Sequence, residues 1–392
     1  MDSVAFKRIL ATFVDRPSDL DVSRGQLLVE VRDELIEARI FIKEGAVHVE
    51  EAPATWTAEQ WFIQRIARIP LLAERILSFV AAESKFVMPS GSFLDQLENA
   101  PNEEEIAVHD AIVCAADVLN RQPAGTASVL YLTADAGEGK TTVISQLARL
   151  KAEQYRQKKS NWLLVPITLG GRSFLRLDDV IVAGLVNRLR FPLLYYESFL
   201  ELVRMGVLVP ALDGFEEMFV EGSAGEAVSA LGNLIQTMES SGAVLVAARK
   251  AYFEYKRLET QARLFDALAG CSVAFSRLAL KRWDRGNFLE YGAKREVRNA
   301  AEVYDSVSGM LGATHPLLTR AVLVKKLFDV ASETTGLDEL LSRIRISPTD
   351  YFAQFVRAII TREAREKWID LTGDPPQPLL SEQEHHELLA LI

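Results

Sequence analysis

A chain of 392 residues, 49% hydrophobic and 25% charged, has room for two or three domains with real cores, and no apolar run in it approaches the ~20 residues a helix needs to span a bilayer. Its net charge of −10 is unevenly spread: residues 1–110 hold 20 acidic and 11 basic side chains, so this part is ill suited to nucleic acid, where phosphate contacts dominate affinity. The opening MDSVAFKRILATF has neither an uninterrupted apolar segment nor a small-residue cleavage site, and the two cysteines, Cys114 and Cys271, stand far apart in apolar surroundings. Both features point to a cytoplasmic chain with buried, reduced thiols and no membrane partner.

Residues 1–100 read as a small α+β region. Gln26–Arg32 and Ala38–Lys43 alternate apolar and polar residues, and Ala46–Glu50 follows Glu44-Gly45, which is the pattern of a short hairpin. Thr57-Ala-Glu-Gln60 is a capping box that opens a helix carrying Trp61, Phe62, Ile66 and Ile69, and a second helix runs from Leu71 to Ala82. Pro89–Ser92 and Asn99–Asn102 have linker composition, and Glu103–Asn120 is apolar at helical spacing. His48 and His109 are isolated and read as structural. No catalytic triad, metal spacing or effector signature stands out, so the region is expected to be a protein-interaction or oligomerisation module.

The next element carries the chemistry. Ala127–Thr133 is rich in β-branched and apolar residues, as a buried parallel strand is. It runs into Ala134-Asp-Ala-Gly-Glu-Gly-Lys-Thr-Thr142 and then an amphipathic helix. Strand, glycine-rich loop and helix, with four residues between Ala134 and Gly139-Lys-Thr141, make a phosphate loop in which Ala134 replaces the usual first Gly. Small residues let backbone amides converge on phosphate, the lysine gives the β- and γ-phosphates a point charge, and the threonine hydroxyl suits Mg²⁺. Ala136, Gly137, Glu138, Gly139, Lys140, Thr141 and Thr142 are therefore the candidate ATP/ADP-binding set.

Strand and helix signals then alternate: strands at 162–169, 207–212, 243–248 and 273–278, with helices at 178–189, 193–205 and 227–240 between them. Crossovers of that length imply a parallel sheet covered on both faces, a three-layer α/β fold with five parallel strands over residues 101–282. A second site for the metal and the attacking water belongs at the carboxyl end of another strand. There Asp213 is placed to hold Mg²⁺ with Thr141, and Glu216 or Glu217 to activate water. The strand 243–248 ends at Arg249, suited to sensing γ-phosphate charge. Beyond about 283 the signal is helical: an all-helical domain over 283–345, then a helical or winged-helix-like segment over 346–392.

Asp213-Gly-Phe-Glu-Glu217 resembles the extended acidic motif of NACHT-type members of the STAND class of P-loop NTPases, in which the metal-binding Asp precedes paired acidic residues; Gly214 stands where many other ATPases have Glu. Arg249 is similar to the arginine that closes the family's sensor strand, and Gly312-Ala-Thr-His-Pro-Leu-Leu318 resembles its Gly-x-Pro motif, with Thr314 in place of the Gly. The resemblance covers about residues 125–392. It implies that Pro316 packs near adenine and that His315 contacts a phosphate. It also implies a switch: ADP holds the helical domain against the sheet, ATP exchange releases it, and the released form self-associates in response to a protein trigger, in a setting such as bacterial defence against phage.

The competing expectation is an AAA+-like turnover ATPase acting on DNA or protein, with Arg282, Arg285 and Arg295 as candidate fingers donated in trans. Ser381-Glu-Gln-Glu384 opens a last helix that reaches Ile392 without a stop signal, as in the front portion of a longer protein. The adjacent His385 and His386 point in different directions on a helix and are expected to be solvated.

Overall fold

Alternating apolar residues from Leu20 to Thr57 build an antiparallel meander, as seen in the computed structural model, which describes residues 1–95, 105–121, 125–169, 176–215, 224–250 and 271–333, and after these 360–361, 364–365, 369–370 and 375–390. The chain starts with α1 (Ser3–Ala11), capped by the Asp2 carboxylate. Then come β1 (Leu20–Ser23), β2 (Gln26–Val31), β3 (Glu34–Lys43), β4 (Ala46–Glu51) and β5 (Ala54–Thr57), paired in sequence order. The turns Arg32-Asp33 and Glu44-Gly45 have positive φ at both residues, the handedness that matches strand twist in two-residue hairpins. The expected hairpin is thus the centre of a five-stranded sheet.

Leu27, Val29, Val31 and Ile36 face inward onto Phe6, Trp61 and Phe62, whose rings lie 5.2–6.0 Å apart. Helix α2 (Ala58–Trp61) begins at the Thr57–Gln60 capping box and continues through a π turn, and α3 (Ile69–Phe79) follows. Arg65 ties the layers together by donating to Glu51 at 2.8 Å and Glu34 at 2.7 Å.

The second sheet departs from expectation. It has seven strands, in the order β7-β6-β12-β8-β11-β10-β9. Five are the parallel strands expected: β8 (Ala127–Thr133), β9 (Leu163–Thr168), β10 (Leu208–Asp213), β11 (Ala243–Ala248) and β12 (Val273–Leu280). The other two, β6 (Gly91–Asp95) and β7 (Ile106–Val108), extend the sheet antiparallel beyond β12. The stretch expected as a linker at 89–92 leads into a strand, and the helix expected over 103–120 is divided. Asp110 accepts from the amides of Ile112 and Val113 and starts α4 at Ala111 (to Asn120), which leaves Ile106–Val108 to pair with β6. Gly91 is required there, because a Cβ would stand 2.5 Å from the Ala279 carbonyl oxygen.

Residues within 1–100 therefore complete the sheet of the following domain. Their core is continuous with it, one hydrophobic cluster running from Phe6 to Leu280. Helix α3 packs on α5 (Lys140–Arg156), and Arg149 of α5 donates to the carbonyls of Leu77 at 2.6 Å and Val80 at 2.9 Å.

The other crossovers are α6 (Leu177–Ala183), α7 (Tyr196–Arg204) and α8 (Ala224–Thr237). After β12 a second core forms around Phe288, Tyr304, Leu318, Leu327 and Phe328. It is built by α9 (Arg285–Lys294), α10 (Ala300–Leu311), α11 (Pro316–Thr319) and α12 (Ala321–Glu333). The tail is not helical throughout: β13 (Ile369–Asp370) pairs with β14 (Gln377–Pro378) before α13 (Glu382–Ala390). The capping box at Ser381 forms reciprocally with Glu384, and His385, expected in solvent, is buried. Cys114 and Cys271 are both free thiols and only half-buried. Among the described residues, no helix is long and apolar enough to cross a membrane.

Candidate nucleotide site

The phosphate loop leaves the carboxyl end of β8 and closes into α5 with Gly139 as its N-cap. Gly137 and Gly139 take φ of +77° and +103°, the left-handed region in which only glycine is relaxed. Positive-φ glycines of this kind are the backbone from which anion-binding nests are built. A Cβ at Gly139 would meet nothing within 4 Å, so this flank of the loop is open. Lys140 Nζ reaches back across the loop to the carbonyls of Ala134 at 2.9 Å and Asp135 at 3.4 Å. Thr141 is exposed in the first turn of α5.

Strand order decides what surrounds the loop. β11 lies between β8 and β10, with Ala248 opposite Thr133 and Ala247 opposite Asp213. Arg249, the next residue, is exposed at the end of this central strand. The Ala134 amide also donates to the Ala248 carbonyl at 3.4 Å, tying the loop's first residue to that strand end. Asp213 is the last residue of β10 and is buried at 8% exposure. Lys140, Thr141, Asp213 and Arg249 thus gather at the carboxyl edges of three adjacent strands. Glu216 and Glu217 lie outside the described residues.

A threonine hydroxyl and a carboxylate are hard oxygen donors, which suit Mg²⁺ better than a soft-ligand metal. With the glycine cradle and Lys140 beside them, these residues fit a Mg²⁺–nucleotide.

Not every loop side chain faces phosphate. Glu138 is buried, and its carboxylate accepts from the Asp135 amide at 2.7 Å and from Arg282 Nε at 3.0 Å. Arg282 also donates to Asp135 at 2.7 Å, and Arg320 stands 3.9 Å from the same carboxylate. Asp135 is held below the usual carboxylate range, chiefly by the hydrogen bond from Arg282. Glu138 therefore acts as an internal brace, its amide also donating to the Asp135 carbonyl at 3.3 Å. Arg285 pairs with Asp305 and Arg295 with Asp329, so each of the three candidate fingers has a partner within its own chain.

The helical domain meets the loop directly. The Val322 amide, near the start of α12, donates to the Gly137 carbonyl at 3.1 Å. A Cβ on Gly137 would stand 2.3 Å from Val322 Cγ1. The Trp283 amide donates to the Thr319 carbonyl at 2.8 Å, fixing α11 to the end of β12. His315 caps α11: its Nδ1 accepts from the Leu317 amide at 3.3 Å, which leaves the ring proton on Nε2, and burial pushes its pKa down, so the ring is neutral at neutral pH. Pro316 is the first residue of that helix.

Sequence reasoning missed Arg188. It donates to the Thr168 hydroxyl and lies within electrostatic reach of Asp213. An arginine in an amphipathic helix carries no local signal of this kind. Arg282, Arg320 and Val322 were equally silent as loop contacts.

No protein-family model matches the chain, and no curated protein matches it. Among solved structures it is similar to the Aeropyrum pernix ORC1 protein in complex with DNA (15% identity over 63% of this chain and 67% of that one, TM-score 0.40). It is also similar to Drosophila ORC bound to DNA (12%, 75% and 72%, TM-score 0.43) and to the Aeropyrum pernix ORC2 protein in its ADP form (16%, 75% and 87%, TM-score 0.42).

Proposed function

We propose that the chain is an ATP/ADP-controlled signalling switch of STAND type with slow Mg²⁺-dependent ATPase activity. The observation that carries this reading is the contact of α12 with the phosphate loop, Val322 on Gly137, reinforced by Arg282 and Arg320 on Asp135. A ligand that reshapes the loop changes what the helical domain can rest on, which is the differential interaction a two-state element needs.

Lys140 binds and orients the β- and γ-phosphates. Thr141 and Asp213 would hold Mg²⁺, which when bound neutralises phosphate charge. Arg249 senses the γ-phosphate from the neighbouring strand end, and Glu216 or Glu217 takes a proton from the attacking water. His315, neutral and fixed by its cap, would offer Nε2–H to a phosphate, with Pro316 near the base. Release of the helical domain would then expose surfaces for self-association. The alternative, a turnover ATPase driven by a trans arginine, has less support, because Arg282, Arg285 and Arg295 all pair within the chain.

The test is the nucleotide that purified protein carries. Tightly held ADP is expected, and an empty site with rapid turnover would favour the alternative. Changing Glu216 and Glu217 together to Gln should leave ATP bound, slow hydrolysis by about 10²–10⁴-fold and accumulate an ATP-bound oligomer. Normal hydrolysis by that variant would remove both residues from the mechanism.

A further inference from the structure

The phosphate loop carries two carboxylates, Asp135 and Glu138, and negative charge in such a loop repels the anion it is meant to bind. Glu138 is the harder of the two to explain, because its side chain is only 1% exposed and a buried carboxylate needs partners. Its bonds fasten the loop to itself. One carboxylate oxygen accepts from the Asp135 amide at 2.7 Å, while the Glu138 amide donates to the Asp135 carbonyl at 3.3 Å, so the turn 135–138 is closed from both sides. The same Asp135 carbonyl accepts from Lys140 Nζ at 3.4 Å, which joins the turn to the lysine. The other Glu138 oxygen accepts from Arg282 Nε at 3.0 Å. Arg282 lies just beyond β12, between two fixed neighbours: the Lys281 amide donates to the Ser90 carbonyl at 2.9 Å and the Trp283 amide to the Thr319 carbonyl at 2.8 Å. The turn is thus anchored on a part of the fold outside the loop.

A loop already held in its binding shape gives up less conformational freedom when a ligand arrives, and the difference appears as affinity. We infer that Glu138 is a positioning residue for the nucleotide: its buried carboxylate, anchored by Arg282, holds the phosphate loop in the shape that receives the phosphates, and the affinity gained from that order exceeds the repulsion its charge adds. This rests on the reading of the loop as the ATP/ADP site. The inference has a sign that simple electrostatics reverses. Removing a negative charge beside phosphate should by itself tighten nucleotide, whereas removing the brace loosens it.

The test uses the full chain and measures ATP and ADP affinity by calorimetric titration, in Mg²⁺ and in EDTA. Glu138→Ala should weaken both nucleotides by about three- to tenfold, and by the same factor with and without Mg²⁺, because the brace acts on the loop and not on a metal ligand. Glu138→Gln loses the same charge but keeps an oxygen for the Asp135 amide, so it should recover part of that loss. Unchanged or tighter binding in Glu138→Ala, or equal binding by the Ala and Gln variants, would overturn the inference. Arg282→Ala should also weaken both nucleotides, with a smaller effect once Glu138 is already Ala; full additivity would separate Arg282 from Glu138 and overturn it too. Should Glu138→Ala fail to fold, Arg282→Ala is compared alone and with Glu138→Gln, where its effect should shrink; an equal loss in both overturns the inference. Hydrogen exchange without nucleotide tests the brace apart from the site. Exchange over 134–139 should quicken in Glu138→Ala, or in Glu138→Gln if that is the variant that folds, and unchanged exchange would overturn the brace. Quickened exchange in a chain whose unaltered form binds neither nucleotide would leave the brace standing and remove the site reading alone.

Discussion

Gly137 of the phosphate loop and Val322 of the helical domain touch, backbone to backbone at 3.1 Å, with no room for even a methyl group between them. The same glycine has φ +77°, so an alanine there is opposed twice, by its own backbone and by Val322 Cγ1. Gly137→Ala should lift α12 from the loop and destabilise the folded chain by about 1–3 kcal/mol. Faster cleavage within 283–333 under limited proteolysis checks it. Val322→Ala, which removes the clash partner without straining the loop, should lessen the effect in the double variant; full additivity would show that the two residues do not communicate.

Lys140→Ala should abolish ATP binding, since the loop has no other lysine or arginine to give the phosphates. A calorimetric titration with unchanged ATP affinity would end the phosphate-loop assignment. Asp213→Asn should weaken binding in Mg²⁺ more than in EDTA, and equal losses in both would show that Asp213 holds no metal.

The Arg282–Asp135 pair predicts a pH effect of definite sign. Asp135 has its pKa lowered in the fold from an ordinary value of 3.8, first by its hydrogen bond with Arg282. A lowered carboxylate stabilises the fold fully above the unfolded value, and that contribution is lost as pH falls through the folded one. Side chains 45% and 30% exposed keep it within about 1 kcal/mol. Urea unfolding should therefore find Arg282→Gln less stable than the unaltered chain at pH 7, with the gap closing at strongly acidic pH. A gap that persists in acid would show that Arg282 acts through packing.

Residues 1–100 were expected to form a separable module, and the fold draws part of them into the main sheet. Deleting 1–100 removes β6 and exposes the face of α5 covered by α3, so it should lower the melting temperature of the remainder. Deleting 1–88 keeps β6 and should be milder. The acidic balance still argues against nucleic-acid binding by this region, and the full chain should lose no DNA affinity on either deletion in a salt titration. Salt-sensitive DNA binding that vanishes with residues 1–88 would overturn that expectation.

The sequence alone determined those features whose cause is local. The run from Ala127 to Lys140 is legible as strand, loop and helix because burial, glycine freedom and the helix period act within a few residues. The capping boxes at Thr57 and Ser381 formed for the same reason, and the strand at 243–248 was read to the residue. Tertiary structure decided what depends on partners distant in sequence. That β11 lies between β8 and β10, so that Arg249 follows a strand flanked by those that end at the phosphate loop and at Asp213, follows from sheet order, which strand patterns do not encode. Ile106–Val108 reads as helix from its own residues and becomes a strand because Asp110 caps the helix late and β6 offers an edge. Arg282 looks like any surface arginine until the end of β12 brings it to Asp135. Arg188 reaches the Thr168 hydroxyl from a π turn whose Gly184 packs on Ile167 of β9, a relationship that no local spacing records.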